Sequence, residues 1–257
     1  MPTPVMHLAL AEEILGGDAL PAAVRRLLIQ HRGPFLLGNT APDVQTVSGQ
    51  RREETHFYAI APPLQGERRR TAYEALFAAH PVLACMESLP PARAAFVAGY
   101  VAHLLLDELW LDDIFWPYFL QDWAPWPERA FLHNVLRTWM DRQDQQRLNG
   151  TVALALQEAE PQSWLPFAGD EHLRAWRDWL VEQLGPGHSV QTAEIFARRM
   201  GVPATEVEAV LSSPQQMDDR VFRRIPQAVL RSFHETGCER TVALVTHYLE
   251  PRSVMKT

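Results

Sequence analysis

A chain of 257 residues, 47% of them apolar, with 24 Lys and Arg against 31 Asp and Glu for a formal charge of −7, has the composition of a folded globular protein with ample material for a core. The acidic balance and the lack of a long basic block exclude a protein whose main business is coating duplex DNA, although nucleic acid stays open as a substrate. Cys85 and Cys238 are too few and too far apart for a disulfide framework or a thiolate zinc knot, and both are expected to be buried small apolar side chains.

The first segment, MPTPVMHLALAEEIL, lacks a basic leader and its apolar run is broken by Glu12 and Glu13, so it reads as the opening helix of a cytoplasmic protein. Along the chain apolar residues recur at spacings of three and four while strict alternation is scarce, which predicts an all-α fold. In chain order, helices are predicted over residues 4–16, 19–31, 70–80, 92–111, 127–158, 170–183, 190–200, 204–212 and 219–249. Breakers such as Gly33-Pro34, Pro62-Pro63, Pro90-Pro91 and Gly185-Pro186-Gly187 separate these segments. A single helical domain over 1–257 is expected, with 186–257 a candidate C-terminal helical subdomain. The most apolar stretch, Ala94 to Leu106, contains His103, ends in Asp107 and Glu108, and falls short of the ~20 apolar residues of a bilayer span. No membrane-spanning helix is expected.

The common catalytic signatures are missing: no G-x-S-x-G elbow, no phosphate-cradling P-loop, no G-x-G-x-x-G, and His234-Glu235 lacks the second His of a helical zinc protease. The chemistry concentrates elsewhere. On a helix, His103 and Asp107 lie one turn apart on the same face, a stripe shared with Phe96, Gly99, Tyr100 and Trp110. Burying that pair is costly unless something neutralises it. A divalent cation does so, and His nitrogen with Asp oxygen is ordinary zinc ligation; an unremarkable His-Asp hydrogen bond is the alternative. Three further donors lie upstream. His7 shares an inward face with Ala11 and Ile14, Asp43 follows Pro42 in a tight loop, and His56 sits within Thr55-His56-Phe57.

This ordered set, His7, Leu37-Gly38, Pro42-Asp43, Thr55-His56-Phe57, Gly99-Tyr100 and His103-x-x-x-Asp107, resembles the zinc-dependent phospholipase C/D family, whose helical fold is shared by bacterial phospholipase C and the P1 and S1 nucleases. The resemblance covers roughly residues 1–120. It implies a multi-helix phospholipase C/P1 nuclease-like bundle in which Asp43, His56, His103 and Asp107 hold one zinc, while His7 and a bridging Asp107 hold a second. It also implies that Pro2, freed by removal of Met1, falls where the nucleases use their amino terminus as a ligand. The chain departs from the family's third zinc site: Asp113 stands where a His is expected, and His133 is followed four residues later by Arg137 in place of a carboxylate. His133 is therefore read as a polar helix residue.

From the resemblance follows a metal-dependent phosphodiester hydrolase that uses two divalent ions, with zinc expected and iron or manganese also compatible. Asp43 is the candidate for orienting the attacking water, and the substrate would be a small-molecule or lipid phosphoester. Arg51 and Arg52 are candidates for phosphate contact or for a solvated surface. The aromatic segment 113–126, DIFWPYFLQDWAPW, is read as a packed connection stiffened by Pro117 and Pro125, with the mouth of the site as its alternative place. Two other functions stay open, a non-catalytic metal-binding protein and a helix-turn-helix regulator. The second rests on Ala197, Gly201, Val207 and Val210 at helix-turn-helix spacing, but its recognition helix carries Glu206 and Glu208 with no Lys or Arg. A structural helical hairpin is the preferred reading of that segment.

Overall fold

The computed structural model describes residues 1–64, 69–148, 150–185 and 191–250. Among the described residues every regular element is helical and no strand occurs. In order these are α1 (Pro4–Gly16), α2 (Ala22–Gln30), α3 (Arg32–Gly38), α4 (Gln45–Ser48), α5 (Arg52–His56), α6 (Ala72–Ala79) and α7 (Pro91–Trp110). There follow α8 (Trp126–Gln145), α9 (Thr151–Gln157), α10 (Asp170–Leu184), α11 (Thr192–Met200), α12 (Ala204–Leu211), α13 (Pro214–Gln216) and α14 (Gln227–Leu249).

At the centre of the fold lies α7, where every residue from Ala94 to Trp110 is buried. A helix apolar on all sides is stable only inside a shell of other elements. Here α3, α6 and α14 supply most of the shell, and α1 completes it. The crossing with α3 depends on two glycines. A Cβ on Gly38 would stand 2.0 Å from the Phe96 carbonyl oxygen, and one on Gly99 would stand 2.2 Å from that of Phe35. Only hydrogen fits at either position, so the two backbones touch. That contact places the end of α3 directly beneath the His103 turn of α7.

Several expectations need correction. The span 127–158 is two helices, α8 and α9, with Gly150, a poor helix former, immediately before the second. The span 219–249 is also divided, because Pro226 has no amide with which to continue the preceding coil and α14 restarts after it. Helix α3 lies where Gly33-Pro34 was read as a break. Pro34 occupies its first turn, where a missing N–H costs nothing. The predicted start at residue 190 and the breaker Pro186-Gly187 lie outside the described residues.

Nor is 113–126 simply a connection. The α7 coil runs on through Phe119 in wider turns, the Leu120 amide bonding the Phe115 carbonyl five residues back, and this widened ladder accommodates Pro117. The resulting helix, Pro91–Phe119, is long and apolar enough to cross a membrane, yet its most apolar window is entirely buried within the fold, as befits a core helix. The cysteines also differ from expectation: Cys85 is exposed and Cys238 half-buried. Cys85 thus lies at the surface, whereas Cys238 packs against the edge of the core.

Candidate metal centre

Three polar residues interrupt the buried stretch of α7: His103, Asp107 and Glu108. Glu108 is accounted for locally, accepting from the Ala72 amide at 3.0 Å and pairing with Arg69 at 3.1 Å. His103 and Asp107 instead face donors from three other segments.

Each donor is aimed by its own local structure. His7 lies on the second turn of α1, whose start is fixed by Pro4 and by the Thr3 hydroxyl, which accepts from the Met6 amide and donates to Asp141 of α8. Its ring stacks on that of His103, centroids 3.8 Å apart. Asp43 sits in a 3₁₀ turn, Ala41–Val44, that starts where α3 is pinned against Gly99 and carries Pro42 at its first positions. His56 ends the short helix α5, and the chain turns away through Phe57 in the left-handed region, φ 59°. A non-glycine residue pays strain for that conformation. It is held there by packing of its ring on His80 and Phe167 and by the Tyr100 hydroxyl, which donates to the Thr55 carbonyl.

The tautomers of His56 and His103 follow from their surroundings. His103 Nδ1 lies 2.8 Å from the Asn39 carbonyl oxygen, which can only accept, so Nδ1 carries the proton. The Thr55 hydroxyl gives its hydrogen to the Arg52 carbonyl at 3.2 Å, so it accepts from His56 Nδ1 at 3.0 Å. Both imidazoles thus present Nε2 lone pairs inward, the outer hydrogen-bond arrangement characteristic of metal-ligating histidines. The inward atoms face carboxylate oxygens that also only accept. His103 Nε2 is 3.5 Å from Asp107 Oδ2, His56 Nε2 is 3.5 Å from Asp43 Oδ1 and 3.7 Å from Asp107 Oδ2, and His7 Nε2 is 3.5 Å from Asp107 Oδ1.

These separations exceed hydrogen-bond length. They match instead the edge of a tetrahedron drawn about an ion with ligands at about 2.0–2.2 Å, which is about 3.3–3.6 Å. His7 Nδ1 and Nε2, His56 Nε2, His103 Nε2 and Asp107 Oδ1 are all buried without a hydrogen-bond partner. Buried polar atoms rarely stay unpaired, and these five face one another as a donor set that could hold a cation. The donor set fits a divalent ion. The groups His7-His103-Asp107 and Asp43-His56-His103 could each hold one, their ligand atoms lying within 4.8 Å of one another.

Charge states agree with that chemistry. Burial alone would push the Asp107 carboxyl up, but His103, His7 and Arg52 outweigh it and hold Asp107 well below the usual carboxylate range. Asp43 is likewise held low by His56 and His103 against the effect of burial. Burial and the neighbouring His103 push the His7 imidazole down to about 4. Burial also lowers His56, whereas for His103 the Asp107 carboxylate overcomes burial and raises it.

All five predicted donors are therefore brought together. Two residues that position these donors carry no motif of their own: Tyr58, whose hydroxyl donates to Asp107 Oδ2 at 2.6 Å, and Asn39, whose carbonyl orients His103. Arg52 was expected only as a phosphate contact or surface residue. Its NH2 instead lies 2.7 Å from Asp107 Oδ2, while its NH1 is buried without a partner. Arg51 is exposed and pairs with Glu54. Among the described residues neither Asp113 nor His133 joins a group of metal donors. His133 is buried and accepts from Trp110 Nε1 at 3.0 Å. A third group, Glu13, His234 and Cys238, lies near the surface, where His234 and Cys238 already pair with Glu13.

A cavity of about 760 Å³ adjoins the cluster, with Pro2, Asp43 and Arg52 on its lining together with Trp126, Trp176, Trp179 and Phe196. Phe115 and Trp126 bring both ends of the aromatic segment to this cavity, while Ile114 and Phe119 pack in the core. The hairpin of α11 and α12 turns at Gly201, φ 69°, buries Ala197, Val207 and Val210, and contributes Phe196 to the cavity wall. No family model matches the chain, and no curated protein or solved structure matches it.

Proposed function

We propose that this protein is a metal-dependent phosphoesterase of the phospholipase C/P1 nuclease-like type. The observation that carries the reading is the pair of Nε2 lone pairs on His56 and His103 facing carboxylate oxygens at 3.5–3.7 Å with no proton donor between them. A proton on His103 is the smallest cation that relieves the repulsion, but across 3.5 Å it is poorly shared. The two oxygens of Asp107 face different imidazoles, Oδ2 towards His56 and His103 and Oδ1 towards His7. Asp43, His56, His103 and Asp107 would hold one ion, and His7 with Asp107 would hold a second. Zinc is the best match to this mixture of imidazole and carboxylate.

Bound divalent ions would supply Lewis acidity and acidify a water at neutral pH. The chain's own groups do the rest. Arg52 is on the cavity lining, and its unpartnered NH1 is a donor suited to a phosphoryl oxygen, while its NH2 and the Tyr58 hydroxyl keep Asp107 in place. Asp43, with 23% of its side chain exposed, meets both cluster and cavity. Its carboxylate, held ionised, accepts a hydrogen bond from the attacking water and orients it, and that water's proton passes to solvent as the new P–O bond forms. The opposite P–O bond breaks, and the leaving oxygen collects a proton from solvent.

Metal analysis of the purified protein, followed by hydrolysis of bis(p-nitrophenyl) phosphate before and after chelation, tests the reading. Stoichiometric zinc and turnover lost on chelation and restored by zinc are expected. Metal without turnover on this ester, a phosphatidylcholine analogue or single-stranded DNA would leave the non-catalytic alternative in its place.

A further inference from the structure

Arg137, on α8, lines the same cavity as Asp43 and Arg52. One of its amino groups reaches Asn134 Oδ1 at 3.0 Å, and its guanidinium carbon lies 4.2 Å from the centre of the Phe196 ring. Its Nε is buried and makes no hydrogen bond. Among the described residues no carboxylate forms an ion pair with it. Asp141, one turn further along α8, has its two oxygens taken by the Thr3 and Thr192 hydroxyls. Withdrawing a guanidinium from water costs several kcal/mol unless an anion compensates, and a cation left unpaired at a cavity wall is compensated when the cavity fills.

The rest of the lining says what fills it. Trp176, Trp179 and Phe196 give it an aromatic wall, with Trp176 and Phe196 set almost wholly into the fold, the partly exposed Trp179 stacked on Trp176 at 5.0 Å, and Arg198 and Arg199 adding two exposed cations. A hydrophilic anion such as free phosphate would use the cations and waste the rings. A neutral apolar molecule would use the rings and leave Arg137 unpaired.

We infer that the cavity is a binding site for amphiphilic anions, with the negative group on Arg137 and an aromatic or similarly flat apolar body against Trp176, Trp179 and Phe196. As a statement about substrate, namely phosphoesters with such a body, it rests on the phosphoesterase reading. As a binding site it does not. Arg137 is then a specificity residue, selecting charge, while the rings select shape.

Calorimetric titration of the chelator-treated full chain with 1-naphthyl phosphate, inorganic phosphate and 1-naphthol separates the two statements. Naphthyl phosphate should bind at least about tenfold more tightly than either of the others, since only it uses both surfaces. R137Q should lose about tenfold for naphthyl phosphate with naphthol unchanged, and R137K, which keeps the charge without the planar fork, should recover part of the loss. A folded R137Q with wild-type affinity overturns the inference, as does loss of binding in R52Q alone. If R137Q fails to fold, equal affinities of the native protein for naphthol and naphthyl phosphate overturn it. None of these readouts needs metal or turnover, so a failed phosphoesterase assay leaves them intact.

Discussion

His7 and His103 lie face to face, ring centroids 3.8 Å apart and planes 11° from parallel, with Nε2 of each ring directed at a different oxygen of the Asp107 carboxylate. Two imidazolium rings could not stack so closely without strong repulsion, so at most one carries a proton, and the depressed pKa of His7 assigns it the neutral form. A neutral, buried imidazole with neither nitrogen bonded is a ligand in waiting. His7→Ala should therefore remove one ion per chain while leaving the Asp43-His56-His103 side loaded, whereas His103→Ala or Asp107→Ala should strip most of the bound metal. Elemental analysis after desalting reads this directly; equal metal content in all three variants would remove the site.

Tyr58 and Arg52 both donate to Oδ2 of Asp107, and Arg52 also donates to the Tyr58 hydroxyl at 2.5 Å. These contacts fix the carboxylate's rotation. Tyr58→Phe keeps the ring and deletes one donor, and outer contacts of this kind are worth about 10- to 100-fold in metal affinity. A competition titration against a zinc chelator should show a loss in that range with the fold unchanged. An affinity within twofold of wild type would mean that Arg52 orients Asp107 alone.

The helical class and the His103-Asp107 pair were legible because both are written in local pattern, whereas His7, Asp43 and His56 were joined to them through the order of a family-like set. Three- and four-residue apolar spacing marks helices, and His103 with Asp107 breaks an otherwise apolar stripe. Tyr58 and Asn39 were not legible. Tyr58 acts through a hydroxyl that meets Asp107 from another segment, and Asn39 acts through its backbone carbonyl, which any residue possesses. Arg52 looked like half of a surface Arg pair, yet only Arg51 is exposed, since α5 turns the two in different directions. The break at Gly33-Pro34 was misjudged for a related reason: glycine there serves a close approach to the Ala155 carbonyl, 2.0 Å from where a Cβ would stand, and not a turn.

Close approach also yields a stability prediction. Gly99→Ala and Gly38→Ala each drive a methyl into a backbone carbonyl of the facing helix, and neither carbonyl can move without separating α3 from α7. Overpacking costs about 1–3 kcal/mol where side chains can yield, and more where backbone must shift. About 3 kcal/mol or more is therefore expected from urea unfolding of either variant. Gly16→Ala is the control, because no atom lies within 4 Å of its Cβ position, and it should be neutral within about 0.5 kcal/mol. Comparable losses at all three positions would contradict the proposed crossing.

Asp141 ties α1, α8 and α11 together through the Thr3 and Thr192 hydroxyls. Burial pushes its carboxyl up to about 6, the two hydroxyls and Arg137 only partly offsetting this. The folded chain therefore keeps this proton to a higher pH than the unfolded chain, whose carboxylate titrates near 4. Stability from this group is fully present below about pH 4 and is lost as pH rises to about 6, by at most about 3 kcal/mol. Asp141→Asn cannot titrate, so its unfolding free energy relative to wild type should rise across that window by about 2–3 kcal/mol. Asp144, also raised by burial, to about 7, is present in both chains and largely cancels in the difference. Parallel pH profiles for the two proteins would show that the carboxyl is ionised throughout and that the three-helix junction is held by charge.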